Sequence, residues 1–138
     1  AYGGKSSRFA TPGVNIGLFC STPMVALSRN VSNKHSMEML LNGDLISSKK
    51  AAEIGLINEV VEDRDLKKIV LEKGLKISKK SSMTLKIGKK AFYKQINMNL
   101  SEAYDYASEV MVENMLKIDA VEGIDAFINK RNPKWQDK

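Results

Sequence analysis

Up to Val61 the apolar residues come in short bursts separated by turn chemistry; beyond it they recur at helical spacing over longer stretches. The stretch Asn42–Val61 sets the pattern of the first part. Asn42-Gly43-Asp44 is a turn, because glycine accepts the positive φ that most turns demand. Ser47 follows two apolar residues and is placed to cap a short helix, Ser48 to Ile54, with its hydroxyl on orphan backbone N–H groups. Gly55 sits where a helix ending in a left-handed residue wants it, and Leu56 to Val61 then reads as a β-branched-rich strand.

Residues 1–8 are glycine, serine and polar, which predicts a loop. Pro12-Gly13 predicts a type II turn, followed by alternating Val14, Ile16 and Leu18. Ser21-Thr22-Pro23 predicts a helix entry with a hydroxyl cap and Pro at the first position, burying Met24, Val25 and Leu27. Ser36 to Leu41 predicts a second short helix with Met37, Leu40 and Leu41 inward. Asp63 or Asp65 then caps a helix carrying Leu66, Ile69, Val70 and Ile77, whose interior Gly74 costs about 1 kcal/mol relative to Ala. Ser81-Ser82 opens a helix with Ile87, Gly88, Ala91, Phe92 and Gln95 along one stripe, where Gly88 would allow close helix approach. Ser101 to Lys117 is the clearest helix, with Leu100, Ala103, Tyr104, Ala107, Val110 and Met111 at i, i+3, i+4 spacing. Asp119 is expected to cap a last helix whose Val121, Ile124, Phe127 and Ile128 face one way, ended by Pro133. The expected class is α/β: short mixed units over 1–61, then an all-helical part over 62–138. That second part is too thin to build a large core, so its stripes are expected to pack on partner chains as well.

Composition adds bounds. The chain has 138 residues, 43% hydrophobic and 28% charged, enough for one modest core and unlike a disordered composition. No apolar run approaches the roughly 20 residues needed to span a bilayer. The start at Ala1-Tyr2-Gly3-Gly4, without Met or a signal region, predicts that these residues begin inside something longer. Cys20 and His35 are the only residues of their kinds, so no internal disulfide forms, and His35 reads as structural or solvated. The formal net charge of +6 suits an anionic partner, such as a phosphorylated cofactor or a nucleic acid. The pairs Lys49-Lys50, Lys67-Lys68, Lys79-Lys80 and Lys89-Lys90 read as solvated helix faces rather than a phosphate track. No nucleic-acid motif accompanies them, so nucleic acid is not an expected partner.

Three stretches together carry a family resemblance: Arg8-Phe9-Ala10-Thr11-Pro12-Gly13-Val14 running to Phe19; Met37 to Asp44 continuing through Ile46-Ser47 and Ala51-Ala52 to Gly55-Leu56-Ile57; and Glu122-Gly123-Ile124-Asp125-Ala126-Phe127 running to Trp135. In this order the chain resembles the C-terminal half of an enoyl-CoA hydratase/isomerase, the crotonase superfamily. Phe19-Cys20-Ser21-Thr22-Pro23 and Phe92-Tyr93-Lys94-Gln95 look most like a mitochondrial branch of it.

The resemblance implies the last turns of a ββα spiral over 1–61 and a helical trimerisation region over 62–138, in a homotrimer or hexamer. It implies an acyl-CoA thioester as substrate or ligand, no other cofactor, a role in fatty-acid metabolism and a mitochondrial location. Its oxyanion hole, two backbone N–H groups that stabilise a thioester enolate, would lie on loops upstream of Ala1. Hydratases also use two glutamates for acid–base work. The first would lie upstream, and the second matches Gly13, which has no group to move a proton. The resemblance therefore implies poor or absent hydration, leaving one-acid isomerisation or acyl-CoA sequestration. A non-catalytic oligomerisation or partner-binding fragment is the alternative. Cys20-Ser21-Thr22-Pro23-Met24 departs from the glycine-rich helix entry that hydratases usually carry. Phe127 and Lys130 match positions that help relatives hold the CoA nucleotide portion, often from a neighbouring subunit. On the residues alone, Gly13 is equally a turn glycine, Phe127 equally core, and Lys130 equally a solvated helix end.

Overall fold

The computed structural model describes residues 1–138, which form two compact units, residues 1–72 and 73–138.

The first unit is built from short elements. Strand β1 (Tyr2–Gly4) pairs in parallel with β4 (Glu59–Val61), Gly3 opposite Val60, and β2 (Arg8–Phe9) pairs antiparallel with β3 (Ile46–Ser47). The expectation of a loop over residues 1–8 is thus corrected for Tyr2–Gly4. Glycine has little strand propensity of its own; the pairing is made by close approach. A side chain at Gly3 would meet Ile57, and one at Gly4 would overlap the Asp63 carboxylate. That carboxylate accepts from the Ser6 backbone N–H at 3.1 Å and from its hydroxyl at 2.8 Å, so Asp63 serves β1 rather than capping the following helix.

The predicted type II turn is also corrected. Pro12–Ile16 is a turn of 3-10 helix, and the positive φ falls on Gly17 (+77°), not on Gly13. Helix α1 (Ser21–Asn30) follows, with Cys20 at its cap position; no side chain caps it, and the Ser21 hydroxyl instead donates to the Phe19 carbonyl. Leu27 is buried in α1, but Val25 is exposed. In α2 (Asn33–Asn42) the buried residues are Ser36, Met39 and Leu40. Met37 and Leu41, expected inward, are 50% and 59% exposed. Leu40 is inward as expected, but Ser36 and Met39 share the buried side with it, the Ser36 hydroxyl donating to the Val31 carbonyl at 3.1 Å. Leu27, Val31, Met39 and Leu40 form the core, with Cys20, Met24, Ile46, Ile54 and Leu56 packed against it.

The Asn42–Val61 unit follows its pattern closely until the strand. Gly43 adopts φ +67°, and the Ser47 hydroxyl accepts from the Lys50 N–H at 3.2 Å to cap α3 (Ser48–Glu53). Gly55 adopts φ +81°. The strand is shorter than expected: Leu56 and Ile57 donate back to the Ala51 carbonyl, at 2.8 and 3.3 Å, and leave only Glu59–Val61 extended.

Helix α4 (Leu66–Ser78) buries no residue. The second unit is helical: α5 (Ser82–Gln95) packs on α6 (Leu100–Met115), and α6 on α7 (Ile118–Ile128). Ser81 caps α5 through the Thr84 N–H at 3.1 Å, as its position predicts. The cap of α6 is Asn99, which accepts from the Glu102 N–H at 3.0 Å. Two expectations fail here. Gly88 makes no close approach, since nothing lies within 4 Å of where its side chain would start. Asp119 lies inside the first turn of α7 and does not cap it. Phe92, Tyr104, Val121, Ile124 and Ile128 are exposed; Ser81, Asp119 and Ala126 are the buried residues of this unit.

Candidate functional site

Gly13 lies in the 3-10 turn of the first unit. Its N–H donates to Cys20 Sγ at 3.2 Å, and its carbonyl accepts from the Leu18 N–H at 2.9 Å. A methyl group added at Gly13 would lie 2.5 Å from the Leu18 carbonyl oxygen and 2.7 Å from Cys20 Sγ. Its φ is negative, so space rather than backbone conformation requires glycine. The position carries no acid or base.

The same unit holds a small cavity of about 110 Å³, lined by His35, Glu38, Asn42, Asp44 and Lys50 among others. His35 Nδ1 stands 3.6 Å from Glu38 Oε2, a single-turn pairing on the surface of α2.

In the second unit the end of α7 is tied by charge. Arg131 donates to both Glu122 oxygens, at 2.7 and 2.8 Å, and to Asp125. Glu122 Oε1 also accepts from the Lys134 N–H at 2.6 Å. The Arg131 hydrogen bonds, then the Lys134 N–H, hold the Glu122 carboxyl down at about 2. Within this loop Lys130 adopts φ +51°, a left-handed conformation rare for a side chain with a Cβ. Its N–H donates to the Phe127 carbonyl at 3.2 Å, so the structure brings Phe127 and Lys130 together on one turn. Phe127 is 85% exposed and is not core.

Phe127 also lines an apolar groove of about 590 Å³ with Leu85, Ala120, Gly123, Ile124 and Trp135. The Trp135 ring lies 3.3 Å from where a Gly123 side chain would begin, and its indole N–H donates to the Lys79 carbonyl at 2.8 Å. Below the groove Asp119, 1% exposed, accepts from the backbone N–H groups of Gln136 and Asp137 at 2.7 and 3.0 Å. Burial opposes its charge, but hydrogen bonds from Ser81, Gln136 and Asp137 outweigh that and keep its pKa below the usual range. Asp137 in turn accepts from the Ser82 N–H at 2.7 Å. The chain after α7 is thus strapped to the start of α5. Sequence reading missed this strap, because its bonds to Lys79 and Ser82 join residues more than fifty positions apart and leave no local pattern.

Two lysines of this unit have partners. Lys94 Nζ stands 4.2 Å from the Tyr106 ring centroid, and Lys117 Nζ pairs with Glu113 at 3.7 Å. No group of three His, Cys, Asp or Glu side chains is arranged to hold a metal ion, and no helix is long and apolar enough to cross a membrane.

The family model described as enoyl-CoA hydratase/isomerase matches residues 1–138. Among curated proteins, the mitochondrial enoyl-CoA hydratase domain-containing protein 3 of Xenopus laevis is 47% identical over 135 residues, covering 98% of this chain and 46% of that protein. The human protein of the same name is 44% identical, covering 98% and 45%. Among solved structures, human enoyl Coenzyme A hydratase domain-containing protein 3 superposes with a TM-score of 0.94 at 44% identity, covering 97% of this chain and 53% of that one. An enoyl-CoA hydratase from Mycobacterium smegmatis gives a TM-score of 0.94 at 42% identity, covering 97% and 52%. The chain therefore spans about half the length of the relatives it matches, and the part matched is their C-terminal half. The named branch is the one to which the Phe19–Pro23 and Phe92–Gln95 stretches point.

Proposed function

The chain belongs to the enoyl-CoA hydratase/isomerase family, and from that premise we propose that it serves an acyl-CoA-binding protein of fatty-acid metabolism that is poor or inactive as a hydratase. The observation that carries the ligand reading is the end of α7. An 85% exposed Phe127 sits one turn from Lys130, whose left-handed φ of +51° falls just past the end of α7, where the Lys130 and Arg131 N–H groups donate back to the Phe127 and Ala126 carbonyls. Such strain of about 1–2 kcal/mol persists only where surrounding structure enforces it. An aromatic face and an ammonium on one rigid turn suit a base and a phosphate of the CoA nucleotide portion. At Gly13, the position matched to the second glutamate, no side chain can orient water or move a proton. The remaining chemistry would be enolate stabilisation by upstream oxyanion donors, with at most one acid. The helical part, residues 62–138, would mediate a homotrimer or hexamer. A mitochondrial location is proposed from the names of its relatives.

The test is CoA binding by calorimetry in the full-length protein. Phe127→Ala and Lys130→Gly should each weaken binding about tenfold, equivalent to about 1.4 kcal/mol. Lys130→Gly keeps its fold because glycine accepts the left-handed φ without strain. Unchanged affinity in both variants would sink the ligand reading.

A second reading, a non-catalytic oligomerisation or partner-binding fragment, is favoured by one observation. Leu100, Leu116, Val121 and Ile128 leave a broad apolar surface exposed on a unit with little core. Light scattering that gives a trimer, together with calorimetry that finds no CoA binding, would favour it.

A further inference from the structure

We infer that Cys20 is the specificity-determining residue that keeps position 13 free of any side chain, so that a second proton-transfer group is excluded by a residue pair and not by Gly13 alone. The catalytic meaning of this rests on the proposed match of Gly13 to the second glutamate; the steric lock does not.

Gly13 is not a glycine of necessity in its backbone, because the positive φ values of this unit belong to Gly17, Gly43 and Gly55. What excludes a side chain is occupied space. A Cβ would stand 2.5 Å from the Leu18 carbonyl oxygen, 2.7 Å from Cys20 Sγ and 3.4 Å from the Cys20 nitrogen. Comfortable carbon contacts lie at about 3.5–4.0 Å. Both obstructing atoms, the Leu18 oxygen and Cys20 Sγ, belong to one short segment, 18–20, that folds back over the 3-10 turn.

Two sets of interactions hold that segment in place. The Leu18 N–H bonds to the Gly13 carbonyl at 2.9 Å, and the Gly13 N–H donates to Cys20 Sγ at 3.2 Å. Cys20, half-buried, also packs against the Leu27, Val31, Met39 and Leu40 core. Cys20 therefore anchors the segment between the core and the turn, and the Leu18 carbonyl is carried with it. Alanine at position 20 removes both the direct obstacle and the anchor, and leaves the segment free to recede. A carboxylate introduced at position 13 alone meets backbone on one side and the held sulfur on the other, and gains no defined place from which to exchange a proton.

The decisive measurement is a double-mutant cycle on the intact chain, G13A, C20A and G13A/C20A, followed by equilibrium denaturation. G13A should lower the midpoint, and its cost in the C20A background should fall to half or less of its cost in wild type. An equal cost of G13A in both backgrounds overturns the inference. A second arm uses the full-length protein and hydration of crotonyl-CoA. G13E should gain nothing over wild type, while G13E/C20A gains at least tenfold over G13E. A G13E variant as active as the double variant also overturns the inference. Coupling in the cycle with no gain in G13E/C20A supports the lock and removes the catalytic reading of position 13, so the two failures are separable.

Discussion

The guanidinium of Arg131 lies edge to edge with the Glu122 carboxylate, Nη1 to Oε1 at 2.7 Å and Nη2 to Oε2 at 2.8 Å. Asp125 and the Lys134 N–H complete the network, and the Arg131 N–H donates to the Ala126 carbonyl at 3.0 Å. A paired fork of this kind is geometric as well as electrostatic, and lysine cannot reproduce it. R131K and E122Q should each lower the melting temperature, and the double variant should lose less than the sum of the two. Strict additivity in thermal melts would mean the pair does not act as a unit.

The same network sets a pH dependence. Glu122 titrates at about 2 in the folded chain against an ordinary 4.5. Its folded pKa is depressed, so the unfolded chain binds the proton first as pH falls. The stabilisation is present above about 4.5 and is lost between there and about 2. Asp119 and Asp137, also held below the usual range by hydrogen bonds, add a change of the same sign. Urea midpoints should therefore decline across that window in wild type and decline less steeply in E122Q.

Register within α2 is testable by two adjacent leucines. Leu40 is 1% exposed at the centre of the core, whereas Leu41 is 59% exposed. Leu40→Ala should cost about 2–5 kcal/mol through lost burial and a residual cavity. Leu41→Ala should stay within about 0.5 kcal/mol. Equilibrium denaturation with a reversed order would place the buried stripe wrongly.

Helix caps give a graded series. Ser47, Ser81 and Asn99 accept from the Lys50, Thr84 and Glu102 N–H groups; Ser47→Ala and Asn99→Ala should each cost about 1 kcal/mol, and Ser81→Ala more, because buried Asp119 loses its bond as well. Ser21→Ala should cost little, since its hydroxyl only donates to the Phe19 carbonyl and caps nothing. Chemical denaturation of the four variants separates true caps from lookalikes.

Glycine substitutions should differ in sign. Gly74 sits in α4 with open space at its missing side chain, so Gly74→Ala should stabilise by about 1 kcal/mol. Gly43 has φ +67° and Val14 Cγ2 at 2.9 Å from where a Cβ would sit, so Gly43→Ala should destabilise by about 1–2 kcal/mol or more. Thermal melts of both would check the contrast.

What the sequence determined by itself is what is written over four or five neighbouring residues. The Gly43 turn, the Ser47 and Ser81 caps, the left-handed Gly55 and the helical character after Val61 all depend on local backbone chemistry, and all stand in the structure. The family was legible because its three stretches keep their order along the whole chain. Tertiary structure decided the rest. Tyr2–Gly4 became a strand only because Val60 and Val61, far along the chain, offered it an edge. Asp63 and Asp119, both placed to cap helices, were drawn away by backbone N–H groups of distant segments. Gly13 read as a turn glycine because periodicity cannot show that Leu18 and Cys20 fold back onto it. Propensity and capping are paid within one turn of chain, whereas strand pairing, strap and steric lock depend on which distant atoms arrive at the same place.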